Sequence, residues 1–234
     1  MVSKNVFLLI EKRFYFYRMV HHLAKTNSLV NTWVNELRNV DVQNDRMRFK
    51  RNMERIGEVA AYEISKTLSY KDVDVTTPLG IYAGKALEQE PVIVTILRAG
   101  IPLYQGMINY FDKADSGFVA AYRKHKPDDS FEINQEYVVC PNLEGRTLII
   151  ADPMLATGAS LIMALEELYD YGRPKEVHVV VAIACTEGID AIRHKFPDFT
   201  IWAADIDEEL TSKGYIVPGL GDAGDLSFGS KMQF

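Results

Sequence analysis

The sequence predicts an α/β protein: a parallel sheet flanked by helices, with an N-terminal helical appendage and a small hood or hairpin. Three observations predict it. Residues 92–97, 148–151 and 177–184 form short apolar runs, the near-continuous hydrophobicity of strands buried on both faces. Apolar residues spaced three and four apart follow such runs, the period of a helix with one buried face. From Pro91 onward the two patterns alternate, and repeated strand–helix units build a parallel sheet covered on both sides.

In chain order, residues 28–38 read as a short helix with Leu29, Trp33 and Leu37 on one face. Asn44 can cap a longer helix, because Met53, Ile56, Ala60, Ile64 and Leu68 recur every three or four residues. Arg46, Arg48, Lys50 and Arg51 read as the solvated face of that helix. Val73 and Val75 alternate with Asp72 and Asp74 as in an exposed strand, which Pro78 and Gly80 end. The buried strand 92–97 turns at Arg98-Ala99-Gly100 into a helix with Pro102 near its start. A second strand, 117–122, ends at Arg123. Residues 124–130 are polar with one proline and read as a mobile loop; 131–139 reads as a hairpin strand and Glu144-Gly145 as a turn. The strand 148–151 ends at Asp152, a small-residue loop covers 153–160, and Leu161, Ala164, Leu165 and Leu168 mark a helix. A strand at 177–184, an amphipathic helix at 187–196 and a strand at 200–204 complete the pattern.

No internal repeat, low-complexity segment or interdomain linker interrupts this order. Residues 28–234 therefore read as one domain and residues 1–27 as an N-terminal extension. Within it the apolar stretch 6–10 is too short for a signal-peptide core of about 7–15 residues. Residues 1–18 read as a flexible or partner-docked arm, or as a product of start-site choice with Met19 the true initiator.

A chain of 234 residues, 47% of them hydrophobic, can bury one good core. Its net charge of −6 argues against a general nucleic-acid binder, which carries a basic face. No run approaches the roughly 20 apolar residues that span a bilayer. The two cysteines, Cys140 and Cys185, lie far apart and lack metal-ligand spacing, and the five histidines form no ligand motif. That pattern predicts no protein metal site, no disulfide framework and a reducing, cytoplasmic location.

The chemistry concentrates at residues 146–171, RTLIIADPMLATGASLIMALEELYDY. A strand, an acid, a Thr-Gly loop and a helix N-terminus form an anion cradle with a carboxylate at its edge. Thr157 and Ser160 add hydroxyl donors, and Gly158 lets the backbone come close. Asp152 accepts hydrogen bonds and suits ribose hydroxyls, so the cradle fits a ribose 5-phosphate. The plainer reading makes Asp152 a helix cap and Gly158 a turn; the coincidence of all the parts favours a site. In open parallel sheets ligands bind at the carboxyl ends of strands. Arg98, Arg123, Asp152 and Asp205 all follow strands, and the planar fork of arginine suits phosphate. Residues 219–224 match the dinucleotide pattern GxGxxG, but only residues 225–234 remain beyond, too few for the helix and strand it requires. There is no Walker A sequence.

These residues resemble a known family. The 146–171 stretch closely resembles the phosphoribosyl diphosphate (PRPP) loop of the phosphoribosyltransferases. DPMLATG, with one acid followed by proline, resembles the uracil phosphoribosyltransferase branch, and YIVPGLGDAGD is very like that branch's uracil-binding loop. The similarity runs from about Val92 to the C-terminus and more weakly from about Asn44. It implies a type I phosphoribosyltransferase-like fold and Mg²⁺-dependent transfer of ribose 5-phosphate from PRPP to uracil, giving UMP and diphosphate. It implies that Arg98 and Arg123 contact the diphosphate. Asp152, Pro153, Met154, Leu155, Ala156, Thr157, Gly158, Ala159 and Ser160 would form the PRPP loop. Ile216, Gly221, Asp222 and Ala223 would contact uracil, with Ile216 and Pro218 walling the ring and Asp222 also near PRPP. Asp222, Arg98 and Arg123 would carry catalysis. A homodimer or higher homo-oligomer and a GTP effector are further implications. Two positions depart from the family pattern: Ala159 stands where a second glycine is usual, and Lys124-His125-Lys126 is more basic than expected. Competing readings are a non-catalytic relative that senses PRPP or uracil, and transfer to another base.

Overall fold

Why the apolar runs are continuous is visible in the computed structural model, which describes residues 20–125 and 131–231, the side chains of 121–125 and 131–136 excepted. The elements in chain order are β1 (Val20–His22), α1 (Leu29–Arg38), α2 (Arg46–Ser65), β2 (Tyr70–Thr77), β3 (Gly80–Leu87), β4 (Val92–Leu97) and α3 (Ile101–Ile108). Then come β5 (Asp115–His125), β6 (Phe131–Val139), β7 (Thr147–Ala151), β8 (Met154–Leu155), α4 (Ala159–Leu168) and β9 (Glu176–Cys185). Last are α5 (Thr186–Lys195), β10 (Thr200–Asp207), β11 (Glu209–Leu210), β12 (Ile216–Val217) and α6 (Ala223–Phe228).

The main sheet has the order β1-β10-β9-β7-β4-β5-β6. Every pair in it is parallel except β5–β6, which is an antiparallel hairpin. Side chains alternate across the sheet, so both faces need cover. On one face Ile93, Ile149, Val180 and Trp202 pack with α1, α2 and α3; on the other Val94, Ile150, Val179 and Ile201 pack with α4 and α5. The α/β class expected from the sequence is the observed one, with an antiparallel edge added. From β4 the chain moves to β5 on one side, and from β7 to β9 on the other. The strand order therefore reverses between β4 and β7, and a crevice opens at their carboxyl ends.

Several expectations need correction. The buried face of α1 is Val30, Val34 and Leu37, with Trp33 packed against the same core, whereas Leu29, on the expected stripe, is 67% exposed. Asp45, not Asn44, caps α2, accepting from the N–H groups of Met47 and Arg48 at 3.0 Å; Asn44 instead donates to the Val40 carbonyl. Arg48 and Arg51 lie on the solvated face and pair with Glu36 at 3.7 Å and Glu54 at 2.6 Å. Strand β5 runs on to His125, so Lys124 and His125 belong to it and not to a loop; the pairing with β6 carries the extension past a bulge at Ala120/Ala121. The rest of the expected loop, 126–130, lies outside the described residues, as does Met19. Val20–His22, inside the segment set apart as an extension, is an edge strand parallel to β10. The partner of the exposed strand at Val73 is β3, and the two form a separate antiparallel hairpin.

Candidate active site

The crevice between β4 and β7 is built by a buried hydrogen bond. The Thr95 hydroxyl donates to the Ala151 carbonyl at 3.1 Å, holding the end of β4 against the end of β7. Gly100, at the N-terminus of α3, sits over this contact. A methyl group on it would stand 2.2 Å from Thr95 Oγ1 and 2.8 Å from the Ala151 carbonyl oxygen, so only glycine lets the turn close. Arg98 lies in that turn, after a cis Leu97–Arg98 peptide. Its Nη2 donates to Asp225 Oδ1 at 2.9 Å and to the Gly229 carbonyl at 2.6 Å, and its guanidinium lies 5.9 Å from the centre of the Phe228 ring. The diphosphate candidate is thus paired with the C-terminal helix α6.

The phosphate-loop candidates continue from β7. Asp152 N–H donates to the Val180 carbonyl at 3.1 Å, and the Pro153 carbonyl accepts from both Ala182 and Ile183 at 3.0 Å. Met154 and Leu155 then keep the β7 register on β9 as β8. The loop is therefore strapped to the sheet as far as Leu155, a short strand that sequence patterning did not reveal. Leu155 and Ala156 are buried, so they offer a ligand only backbone; Asp152, Thr157, Ala159 and Ser160 are partly exposed. Gly158 precedes α4 with a φ of 82°. Below the loop, Gly188 of α5 leaves so little room that a methyl group would come within 2.4 Å of the Ala156 carbonyl. Ala159 N–H donates to Thr157 Oγ1 at 3.4 Å. The loop presents a helix N-terminus and two hydroxyls, which suits an anion.

The glycine-rich C-terminal loop begins at the β11–β12 hairpin, where Leu210 faces Ile216. Ile216 is buried in the core with Leu220 and Ala223, and Pro218 is exposed. Gly221 and Asp222 are exposed. Asp222 caps α6: Oδ1 accepts from Asp225 N–H at 2.9 Å and Oδ2 from Lys231 Nζ at 2.7 Å. Burial by itself would raise the Asp222 carboxyl, but the Lys231 bond and the N–H groups of Asp225 and Gly224 outweigh it and hold it below its usual range.

Two close approaches join the three segments. A methyl on Gly224 would lie 3.7 Å from Arg98 Nε and 3.6 Å from Ala99 Cβ, and one on Gly214 would lie 3.6 Å from Thr157 Cγ2. Arg98, the Thr157 loop and the 216–223 loop therefore meet around one crevice. Arg123 belongs to β5, but its side chain lies outside the described residues. Asp205 does not join the crevice. It sits within β10 and bonds to His22 Nε2 at 2.9 Å and Arg38 Nη2 at 2.8 Å, so an ion pair has taken the carboxylate expected at a strand end. Sequence reasoning missed Thr95, Gly188, Arg38 and Asp207. Arg38 is an ordinary basic residue in the last turn of a helix, and no local signal marks it.

Among the described residues no group of three or more His, Cys, Asp or Glu side chains can hold a metal, and no helix is long and apolar enough to cross a membrane. Cys140 and Cys185 are free thiols, the latter buried in the core.

A family model described as uracil phosphoribosyltransferase matches residues 24–230. The uracil phosphoribosyltransferase of Porphyromonas gingivalis is 49% identical over 214 residues, covering 91% of this chain and 99% of that one. That of Pyrococcus furiosus is 43% identical over 201 residues, 85% of each chain. A solved structure of a protein from Aquifex aeolicus superimposes with a TM-score of 0.81 at 32% identity, covering 90% of this chain and 98% of the other.

Proposed function

The chain belongs to the uracil phosphoribosyltransferase family, and on that premise we propose how its crevice carries the transfer of ribose 5-phosphate from PRPP to uracil, which yields UMP and diphosphate. One observation supports the reading above all others: Arg98, the Thr157 loop and the 216–223 loop converge at the point where the strand order reverses. A phosphate cradle, an arginine and a loop of open backbone groups at one crevice fit a sugar phosphate on one side and a flat base on the other.

Thr157, Gly158 and Ser160, with the N-terminus of α4, hold the 5-phosphate, and residues 153–156 and Ala159 shape that loop. Asp152 accepts from the ribose hydroxyls. Arg98 and Arg123 take the diphosphate; for Arg98 this means exchanging Asp225 for a phosphate oxygen. The bond from sugar C1 to the diphosphate oxygen breaks, and the diphosphate leaves with the electron pair. Uracil N1 bonds to C1 from the opposite face and gives up its proton to water. No covalent enzyme intermediate is needed. Holding two substrates in line is worth roughly 7–11 kcal/mol, and the arginines stabilise charge as it develops.

Residues 216, 221, 222 and 223 line the uracil side. Backbone groups there can match the carbonyls and N–H of the base, and such a site rejects a wrong hydrogen-bond pattern by about 10⁴-fold. Asp222, held ionised by Lys231, stands beside the base as an anion and hydrogen-bond acceptor.

Mg²⁺ fits as a companion of the diphosphate. Such a cation needs only one or two protein carboxylates beside phosphates and water, and Asp222 would hold it by exchanging the Lys231 ammonium on Oδ2 for the metal. When bound it spreads the charge of the leaving group.

The free thiols Cys140 and Cys185 suit a cytoplasmic setting. Leu79, Ile81 and Tyr82 on the β2–β3 hairpin are 100%, 75% and 62% exposed, and this apolar surface supports a homodimer or higher homo-oligomer. A response to GTP belongs to the same reading and is tested by adding GTP to the assay.

The deciding experiment is conversion of labelled uracil to UMP with and without PRPP and Mg²⁺, beside cytosine, hypoxanthine and orotate. UMP only from the complete mixture, with no other base used, is the expected result. Transfer to a different base would overturn the uracil loop but keep the PRPP site. PRPP binding without transfer to any base would replace the enzyme by a sensor.

A further inference from the structure

Arg38, the last residue of α1, reaches across 181 positions of sequence to the loop that follows β12. Its Nη1 donates to Asp207 Oδ2 and to the Gly219 carbonyl, both at 2.8 Å, and its Nη2 donates to Asp207 Oδ1 and Asp205 Oδ2 at the same distance. Asp207 Oδ2 also accepts from the Gly219 N–H at 2.9 Å. One ion pair thus holds both backbone polar groups of Gly219. The turn has no slack: Gly219 adopts a φ of 59°, and a side chain there would meet the Ile216 carbonyl at 2.3 Å. Gln43 secures the next residue by donating to the Leu220 carbonyl at 3.3 Å.

Fold stability is a poor account of this arrangement. Asp207 is only 7% exposed and Arg38 17%, and burying such a pair gives back in Coulomb attraction little more than desolvation costs. What a two-pronged guanidinium supplies is geometry, because its planar fork fixes several acceptors at once where a lysine offers one point charge.

We propose that Arg38 and Asp207 are positioning residues for the base. Through Gly219 they set where the backbone of residues 221–223 stands, and so they govern affinity for uracil more than affinity for PRPP, which Asp222 alone of these residues would touch. The proposal rests on the reading of the 216–223 loop as the uracil side. Recognition by backbone groups works only if the backbone is rigid, since a displaced amide loses its hydrogen bond without a side chain to compensate.

The test is steady-state UMP formation with each substrate varied in turn, beside a thermal melt, for wild type and two variants. Arg38→Lys keeps the charge and loses the fork. The double variant Arg38→Gln/Asp207→Asn removes both charges, so that the 7%-exposed Asp207 carboxylate is not left unpaired, while Asp205, 29% exposed, keeps its bond to His22. In each, KM for uracil should rise about tenfold or more, the loss of one charge-assisted hydrogen bond, while KM for PRPP, held mainly by the Arg98 turn and the Thr157 loop, rises several-fold less. An unchanged uracil KM in a folded variant would overturn the proposal. So would equal rises in both KM values, or loss of the cooperative melt in both variants, since either makes the pair merely structural. Absence of UMP formation by the wild type would be a separate failure, that of the uracil reading itself.

Discussion

Thr95 and Ala151 are joined by a buried hydrogen bond, hydroxyl to carbonyl at 3.1 Å, between two strands whose ends carry Arg98 and Asp152. The contact ties the turn that carries Arg98 to the strand end that carries Asp152. It also explains why the residue above it is glycine, since Gly100 has no room for a methyl group.

Substitution at this junction should show a rank order. Thr95→Val removes one hydrogen bond at nearly constant volume and should cost about 1 kcal/mol. Gly100→Ala forces atoms apart and should cost about 1–3 kcal/mol, a fall in melting temperature of roughly 2–4 °C per kcal/mol for a chain of this size. Denaturant and thermal melts check both. A melt for Gly100→Ala equal to wild type would mean that the turn has more freedom than the 2.2 Å approach allows.

Gly188→Ala should act on one substrate more than the other. Its methyl would press on the Ala156 carbonyl at 2.4 Å and push the phosphate loop off α5. KM for PRPP is expected to rise on the order of tenfold, with a smaller change for uracil, because a displaced cradle loses backbone hydrogen bonds to the phosphate. Equal effects on both substrates would contradict this division of the crevice.

Asp222→Asn separates the structural role of this residue from its chemical one. Asparagine caps helices as well as aspartate does, so the cap on the Asp225 N–H and the melt should survive. The negative charge would be gone, and turnover should fall by about 10²-fold or more, as when a charge-stabilising group is removed. Full activity would remove Asp222 from the mechanism.

Stability should fall in two acid windows. His178 is buried and accepts from Trp202 Nε1 at 3.1 Å; its Nε2 has no hydrogen-bond partner, with Glu176 Oε2 3.9 Å away. Burial lowers its pKa from 6.5 to about 4, so the folded protein resists a proton that the unfolded chain accepts. Its contribution is complete above about 6.5 and is lost as pH falls towards about 4. Asp205 follows. Burial raises its carboxyl, but hydrogen bonds from His22, Arg38 and the Ile206 N–H outweigh that and bring it from 3.8 to about 2. Its contribution is present above about 3.8 and disappears as pH falls towards about 2. His178→Gln, which keeps an acceptor for Trp202, should flatten the melting temperature between pH 6.5 and 4, while Asp205→Asn should flatten only the lower window. A pH profile that neither variant alters would refute the assignment.

The parts of the fold that could be read from sequence share a cause. Strands β4, β7 and β9 are covered on both faces, and that condition appears directly as runs of apolar residues. Helix α4 buried the four residues its period selected, Leu161, Ala164, Leu165 and Leu168. Element ends were less legible. Asn44 and Asp45 are equally good caps on paper, and only the path of the chain out of α1 decides which one faces the free N–H groups. Strand β5 overran its apolar stretch, and pairing with β6 accompanies it as far as His125.

The sequence by itself determined the fold class, the small-residue loop proposed to cradle phosphate and the glycine loop. A phosphate held by backbone groups needs small residues in an unbroken run, and a contiguous requirement leaves a contiguous trace. Only the tertiary structure decided what holds these loops in place. Thr95 acts on a carbonyl 56 positions away, and Arg38 on Asp205, Asp207 and Gly219 at separations of 167, 169 and 181. Gly188 matters because of the carbonyl above it, and Asp205 left the crevice because Arg38 claimed it. Hydrogen bonds and ion pairs depend on distance in space, and a single arginine or threonine in a chain gives no sign of which distant atom the fold will bring within 3 Å.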